Sequence, residues 1–86
     1  MPYQLKYSKT AAKEISKLDN LVKKKIKEAI ETKLLTDPLG NSLKLQDFEV
    51  KGARRLRVGN YRVIFYLDKN VLEILRVDHR RQIYKR

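Results

Sequence analysis

Residues 52–66 read Gly52-Ala53-Arg54-Arg55-Leu56-Arg57-Val58-Gly59-Asn60-Tyr61-Arg62-Val63-Ile64-Phe65-Tyr66. Two alternating runs are joined by Gly59-Asn60, and alternation broken by a two-residue spacer containing glycine marks a tight β-hairpin. With Val58 and Tyr61 flanking the turn, the pairing runs Leu56 to Val63 and Arg57 to Arg62. One face then carries Leu56, Val58, Tyr61, Val63 and Phe65, the period-two apolar row that a core requires. The other face sets two guanidinium groups opposite each other, which costs a sheet stability. A fold that keeps them either holds an anion there or separates them in solvent.

Outward from the hairpin, the chain divides into a helical half and a strand half. Tyr3 to Tyr7 alternates as a first strand. Ser8 can cap a helix in which Ala11, Ala12, Ile15 and Leu18 recur at helical spacing. Asp19 or Asn20 can cap a second helix, with Val22, Ile26, Ala29, Ile30 and Leu34 as its stripe. Its lysines, Lys23, Lys24, Lys25 and Lys27, read first as a solvated helix face. Pro38, Gly40 and Asn41 end the helical half. Leu43 to Leu45 and Phe48 to Val50 supply one strand and a loop. After the hairpin, Asp68-Lys69-Asn70 is a turn. Val71 to Val77 is a strand with Leu72 and Ile74 on one face and Val71, Leu75 and Val77 on the other, so it is expected to be internal. The tail, His79 to Arg86, fits a single helical turn that sets Arg80 and Tyr84 on one side. The expected architecture is α+β: an N-terminal strand and α-helical hairpin packed on a mostly antiparallel C-terminal β-sheet. With 86 residues, and about 60 to 65% of the extended surface buried at this size, residues 1–86 are expected to form one domain.

Composition narrows the function classes. The formal charge is +11, from 21 Lys and Arg against 10 Asp and Glu, which points to a polyanionic partner. Arginine is confined to the second half, at Arg54, Arg55, Arg57, Arg62, Arg76, Arg80, Arg81 and Arg86. Its flat, always-charged fork matches phosphate oxygens in pairs. There is no cysteine, hence no disulfide framework and no thiolate metal site. No metal-ligand cluster surrounds the one histidine, no phosphate-cradling glycine loop is present, and the carboxylates are too scattered for a two-metal nuclease. No cofactor is expected. Nor is there an apolar run near the roughly 20 residues that cross a bilayer, so a cytoplasmic location without membrane contact is expected.

The residues left over suit one reaction, metal-independent RNA cleavage in which the 2′-hydroxyl attacks its own phosphodiester. The substrate brings the nucleophile, and the protein aligns it, stabilises added negative charge and manages two protons. Arg62, a bulky cation in mid-strand beside Ile64 and Tyr66, is the leading candidate for the charge term, with Arg57 beside it. His79 could exchange protons near neutrality, with hydrogen-bonded structural duty as the alternative. Tyr84 could stack on a base or donate a proton, or pin the tail by packing. Lys51, Arg54, Arg55 and Arg81 would grip flanking phosphates.

Arg55-Leu56-Arg57-Val58-Gly59-Asn60-Tyr61-Arg62-Val63-Ile64 followed by Leu75-Arg76-Val77-Asp78-His79-Arg80-Arg81-Gln82-Ile83-Tyr84 resembles the RelE branch of the RelE/ParE toxins of type II toxin-antitoxin modules, over the full length of the chain. The resemblance implies a ribosome-dependent endoribonuclease that enters the A site, cuts mRNA and arrests translation and growth. It also implies a cognate antitoxin, expected to be acidic and to wrap the basic face, with DNA met only through the toxin-antitoxin complex. Carried over by position, Arg62 matches the family's transition-state arginine, Arg80 a second active-site arginine, and Tyr84 the tyrosine that stacks on or orients substrate. Arg55 and Arg57 match basic residues lining the substrate groove. The ParE branch, which poisons DNA gyrase without nuclease activity, shares the fold. A non-catalytic RNA-binding module is the third possibility.

Overall fold

The computed structural model describes residues 3–46 and 48–79. The elements run β1 (Gln4–Tyr7), α1 (Lys9–Ser16), α2 (Asn20–Ala29) continued by a π-helical turn (Ile30–Leu34), β2 (Leu43–Lys44), β3 (Arg54–Val58), β4 (Tyr61–Asp68) and β5 (Val71–His79). The five strands form one sheet in the order β1-β5-β4-β3-β2. All pairs are antiparallel except β1 with β5. This is the α+β architecture read from the sequence, with the helix hairpin on one face of a mostly antiparallel sheet. No helix among the described residues is long and apolar enough to cross a membrane.

The hairpin has the register that its alternation dictates: Leu56 opposite Val63, Arg57 opposite Arg62, Val58 opposite Tyr61. Gly59 takes φ 61° at the first central position of the turn, a conformation open to glycine without steric cost. The apolar row faces the helices. Leu56, Val63 and Phe65 meet Ala11, Ile26, Ile30 and Leu34 in the buried core, joined by Leu72, Ile74 and Val77 of β5. Phe65 is fully buried at its centre.

β5 is internal, as its two apolar faces require, but its faces differ from simple alternation. Phe65 pairs with Ile74 while Ile64 pairs with Arg76, so Leu75 has no opposite number. This bulge moves Val77 onto the core face with Leu72 and Ile74, correcting the expectation that Val77 shares the Leu75 face. One extra residue inverts every side chain after it.

The upper half of β5 outruns β1, and α1 completes its edge. Ser8 donates from its amide to the Ile74 carbonyl (2.9 Å) and from Oγ to the Leu75 carbonyl (2.9 Å). The same Oγ accepts the Ala11 amide (3.0 Å), which makes it the expected helix cap. One turn later Glu14 Oε1 accepts the Val77 amide (2.7 Å). A serine and a glutamate thus stand in for the missing strand, meeting the rule that buried backbone groups find partners. Asp19 sits at the N-cap of α2 in extended conformation, without a side-chain capping bond.

Candidate nucleic-acid interface

The sheet face turned away from the helices carries the charged rows. Register places Arg57, Arg62 and Asp78 side by side across β3, β4 and β5, with Arg55, Ile64 and Arg76 in the next row. Arg57 is exposed, but Arg62 is 2% exposed. The pair is therefore separated by burial rather than by solvent: one cation projects outward and the other is set into the sheet beside Ile64, also 2% exposed. A guanidinium keeps its proton at any ordinary pH, so Arg62 is a fixed charge in low dielectric, where its field is strongest. Asp78 on the neighbouring strand brings opposite charge to one flank of Arg62, and Arg57 brings like charge to the other.

Asp78 is itself held in a network. Arg76 Nη2 donates to Asp78 Oδ2 (2.7 Å) and Arg76 Nε to Glu14 Oε2 (2.9 Å). Asp78 Oδ1 accepts the amide of His79 (3.1 Å). Burial, with Glu14 adding like charge, pushes the Asp78 carboxyl above the ordinary range, while Arg76 and the His79 amide pull the other way. The hydrogen bond that Arg76 donates to Glu14 holds the guanidinium protonated still more firmly. Two carboxylates share one guanidinium, and the arrangement ties the end of β5 to α1.

His79 closes β5 opposite Tyr61, and the two rings meet edge to face at 5.2 Å. Tyr61 packs against the core cluster, so alternation puts His79 on the Tyr61 face of the strand and Asp78 on the Arg62 face. The structure thus brings Arg57 and Arg62 together and sets His79 across the sheet from them. Arg80, Arg81 and Tyr84, with the helical turn expected for the tail, lie outside the described residues.

The remaining basic residues divide by environment. Arg54 directs Nε to Ser42 Oγ (2.8 Å) and Nη2 to the carbonyls of Ser42 (3.1 Å) and Leu39 (3.3 Å). Its guanidinium staples the loop before β2 rather than facing outward. Lys51 is exposed in the turn before Gly52. Arg55 and Arg57 line a cleft of about 550 Å³ that is completed by Lys33, Asn41, Ser42 and Leu43. A second groove of about 480 Å³ lies on the helix side, floored by Ala12, Ile15, Ile26 and Ile30 and rimmed by Lys23 and Lys27.

Asp78, Glu14 and the Lys33–Asn41 side of the cleft were not singled out by the sequence. Glu14 carried one signal, as the lone acid in a lysine-rich helix. Asp78 carried another, since it directly precedes the candidate His79.

The family model for the ParE toxin of the type II toxin-antitoxin system parDE matches residues 5–84. Toxin RelG of Mycobacterium tuberculosis is 33% identical over 88 residues, spanning 100% of both chains. Toxin RelE3 of Methanocaldococcus jannaschii is 35% identical over 81 residues, spanning 91% of each. Among solved structures, the toxin-antitoxin complex RelBE2 from Mycobacterium tuberculosis superposes with a TM-score of 0.82 at 30% identity, covering 93% of this chain and 100% of the matched one.

Proposed function

The chain belongs to the RelE/ParE superfamily of toxins from type II toxin-antitoxin systems, and from that premise we propose that it is a ribosome-dependent mRNA endonuclease. In the proposed reaction the 2′-oxygen of an mRNA nucleotide attacks the adjacent phosphorus. The O2′–P bond forms as the P–O5′ bond breaks, and one proton leaves the 2′-hydroxyl while another reaches the 5′-oxygen. Arg62 stabilises the negative charge that builds on the phosphoryl oxygens, and a charge fixed in place beforehand costs no reorganisation during the reaction. Arg57 and Arg55 hold the strand beside the reacting phosphate. Arg80 and Tyr84 are assigned by resemblance to charge stabilisation and to stacking or orienting the substrate. His79, on the other face of the sheet against the Tyr61 ring, is left the supporting role, holding the end of β5 beside the site.

The observation that carries this reading is the burial of Arg62 in mid-strand, with Arg57 directly across. A buried cation in mid-strand departs from the ordinary pattern of a sheet, and sites that break a local folding rule are where function is sought. The partner proposed is an acidic antitoxin segment lying across Arg55, Arg57 and Arg62. Primer-extension mapping of mRNA ends after induction without antitoxin tests the reading. New ends within translated codons are expected from the native chain, and at least about a hundredfold fewer from Arg62→Ala. Intact mRNA beside arrested growth would refute it.

The matched family model supports a second reading, inhibition of DNA gyrase without nuclease activity. It predicts DNA-damage signalling, unchanged mRNA and an Arg62→Ala variant that stays toxic.

A further inference from the structure

The row Arg57, Arg62, Asp78 sets a carboxylate beside the cation assigned to the phosphate. Opposite charges directly across two strands pair favourably, and a carboxylate paired with Arg62 would compete with any anionic substrate for the same guanidinium. Both oxygens of Asp78 are instead engaged along its own strand. Oδ2 accepts Arg76 Nη2 (2.7 Å) and Oδ1 accepts the amide of His79 (3.1 Å). Arg76 lies two residues before Asp78, hence on the same face, and stands opposite Ile64 rather than Arg62. Its pull on Asp78 runs along β5, not across to β4. Arg76 is itself held in place. Its Nε donates to Glu14 Oε2 (2.9 Å), its Nη2 lies 2.8 Å from the same oxygen, and Glu14 is fixed in turn by the Val77 amide (2.7 Å).

The Asp78 side chain is 13% exposed and that of Arg76 38%. A carboxylate so far removed from water needs a cation, and register offers it two, Arg62 across the sheet and Arg76 along the strand. We propose, on the RNA-cleaving reading of the site, that Arg76 is a positioning residue: clamped by Glu14, it keeps the Asp78 carboxylate from competing with an RNA phosphate for Arg62. Arg76 touches no substrate in this role. It acts through Asp78 alone, so its removal should be compensated by neutralising Asp78 and by nothing else on the strand.

Arg76→Met removes the clamp and keeps the stem. The groups then facing the Asp78 carboxyl are Glu14 from α1, Arg62 from β4 with Arg57 beyond it on β3, and His79 on its own strand; Glu49, before β3, acts on Arg76. The carboxylate should turn to Arg62, and its protonation should release Arg62 again. The Arg62 Nε–H resonance of the full chain, followed by NMR as pH falls from 7 to 4, should therefore move several times further in Arg76→Met than in the native chain or in Arg76→Met/Asp78→Asn. His79 titrates in that range in all three proteins and cancels in the comparison. Glu14→Gln, which loosens the clamp without removing Arg76, should show the same movement at smaller amplitude and decides the matter if Arg76→Met does not fold. An Arg62 resonance that responds alike in every variant would overturn the proposal. Single-turnover cleavage on programmed ribosomes gives the functional arm, with melts confirming that each variant is folded at the assay temperature. Arg76→Met should cut at least about tenfold more slowly, as for one lost hydrogen bond to a charged group, and adding Asp78→Asn should return the rate to within about twofold of native. Arg76→Met/Glu73→Gln has the same net charge but changes a carboxylate opposite Tyr66, and should stay slow. Equal recovery in both double variants would overturn the proposal in favour of net charge; recovery in neither would reduce Arg76 to a tie between β5 and α1. A native chain that cuts no mRNA while the Arg62 resonance behaves as expected would remove the nuclease reading and leave the clamp standing.

Discussion

Removing the Glu14 carboxylate should cost this small protein a large part of its stability, because the residue acts as sheet partner and ion-pair partner at once. Oε1 accepts the amide of Val77 at 2.7 Å, and Val77 is 2% exposed. Without that acceptor the amide is stranded, and a hydrogen bond to a charged group is worth about 1.5–3 kcal/mol. Oε2 pairs with Arg76, whose side chain is 38% exposed, so this part is screened by solvent and adds only about 0.5 kcal/mol. Glu14→Ala should therefore lose about 2–3 kcal/mol, lowering Tm by roughly 8–24 °C for a domain of this size. Glu14→Gln keeps an oxygen for Val77 and gives up the charge, so its loss should be about 1 kcal/mol. Thermal melts by circular dichroism at low salt and in 1 M NaCl separate the two effects. The gap between wild type and Glu14→Gln should shrink in salt, and the gap between Glu14→Gln and Glu14→Ala should not. Equal, small losses for both variants would refute the account, because they would mean that the Val77 amide does not depend on this carboxylate.

Asp78 should give the protein an acid-side advantage. Its folded-state carboxyl lies above the ordinary value of 3.8, chiefly through burial, so the folded state binds its proton more tightly than the unfolded one. Its contribution is then largest at low pH and is lost as pH rises through the folded value. Urea unfolding across pH 3–7 should show wild type losing stability relative to Asp78→Asn as pH rises; a difference that grows with pH would contradict this. Arg62→Met, which keeps most of the buried volume but not the charge, should fold and bind RNA while cutting mRNA at least about a hundredfold more slowly. Single-turnover cleavage on programmed ribosomes reads that loss. Gly40→Ala should destabilise by about 0.5–1.5 kcal/mol, because its methyl would fall on the Asp37 carboxylate that accepts the Gly40 amide, with denaturant midpoints as the check. Arg54→Met should loosen the same loop, leaving the salt dependence of RNA binding within about 0.3 of the native slope if its guanidinium contacts no phosphate.

The hairpin was legible because its information is local. The Gly59-Asn60 turn and the period of two specify the register, and the structure pairs Arg57 with Arg62 accordingly. Ser8 as a cap and Pro38 as a stop were legible for the same reason, each acting on its own neighbours. The bulge at Leu75 was not. Leu75, Arg76 and Val77 read as continued alternation, and only pairing with β4 shows that one residue falls out of step. The burial of Arg62 was hidden in the same way, because a guanidinium that alternates to the non-core face is expected to meet water.

Taken alone, the sequence determined the elements, the hairpin register, the apolar row that makes the core and the concentration of arginine in the second half. These follow from short-range sterics, periodicity and composition, which need no knowledge of what lies across the fold. The tertiary structure decided what each charge does. Arg54 became a staple for the loop and Arg62 a buried cation. Glu14 became a substitute strand for a residue 63 positions away, and Asn41 turned its amide onto the carbonyls of Lys33 and Asp37. The physical reason is common to all four. The work of a polar side chain is set by its solvent exposure and its hydrogen-bond partners, and here the partners come from segments that only the packed sheet and helix hairpin bring together.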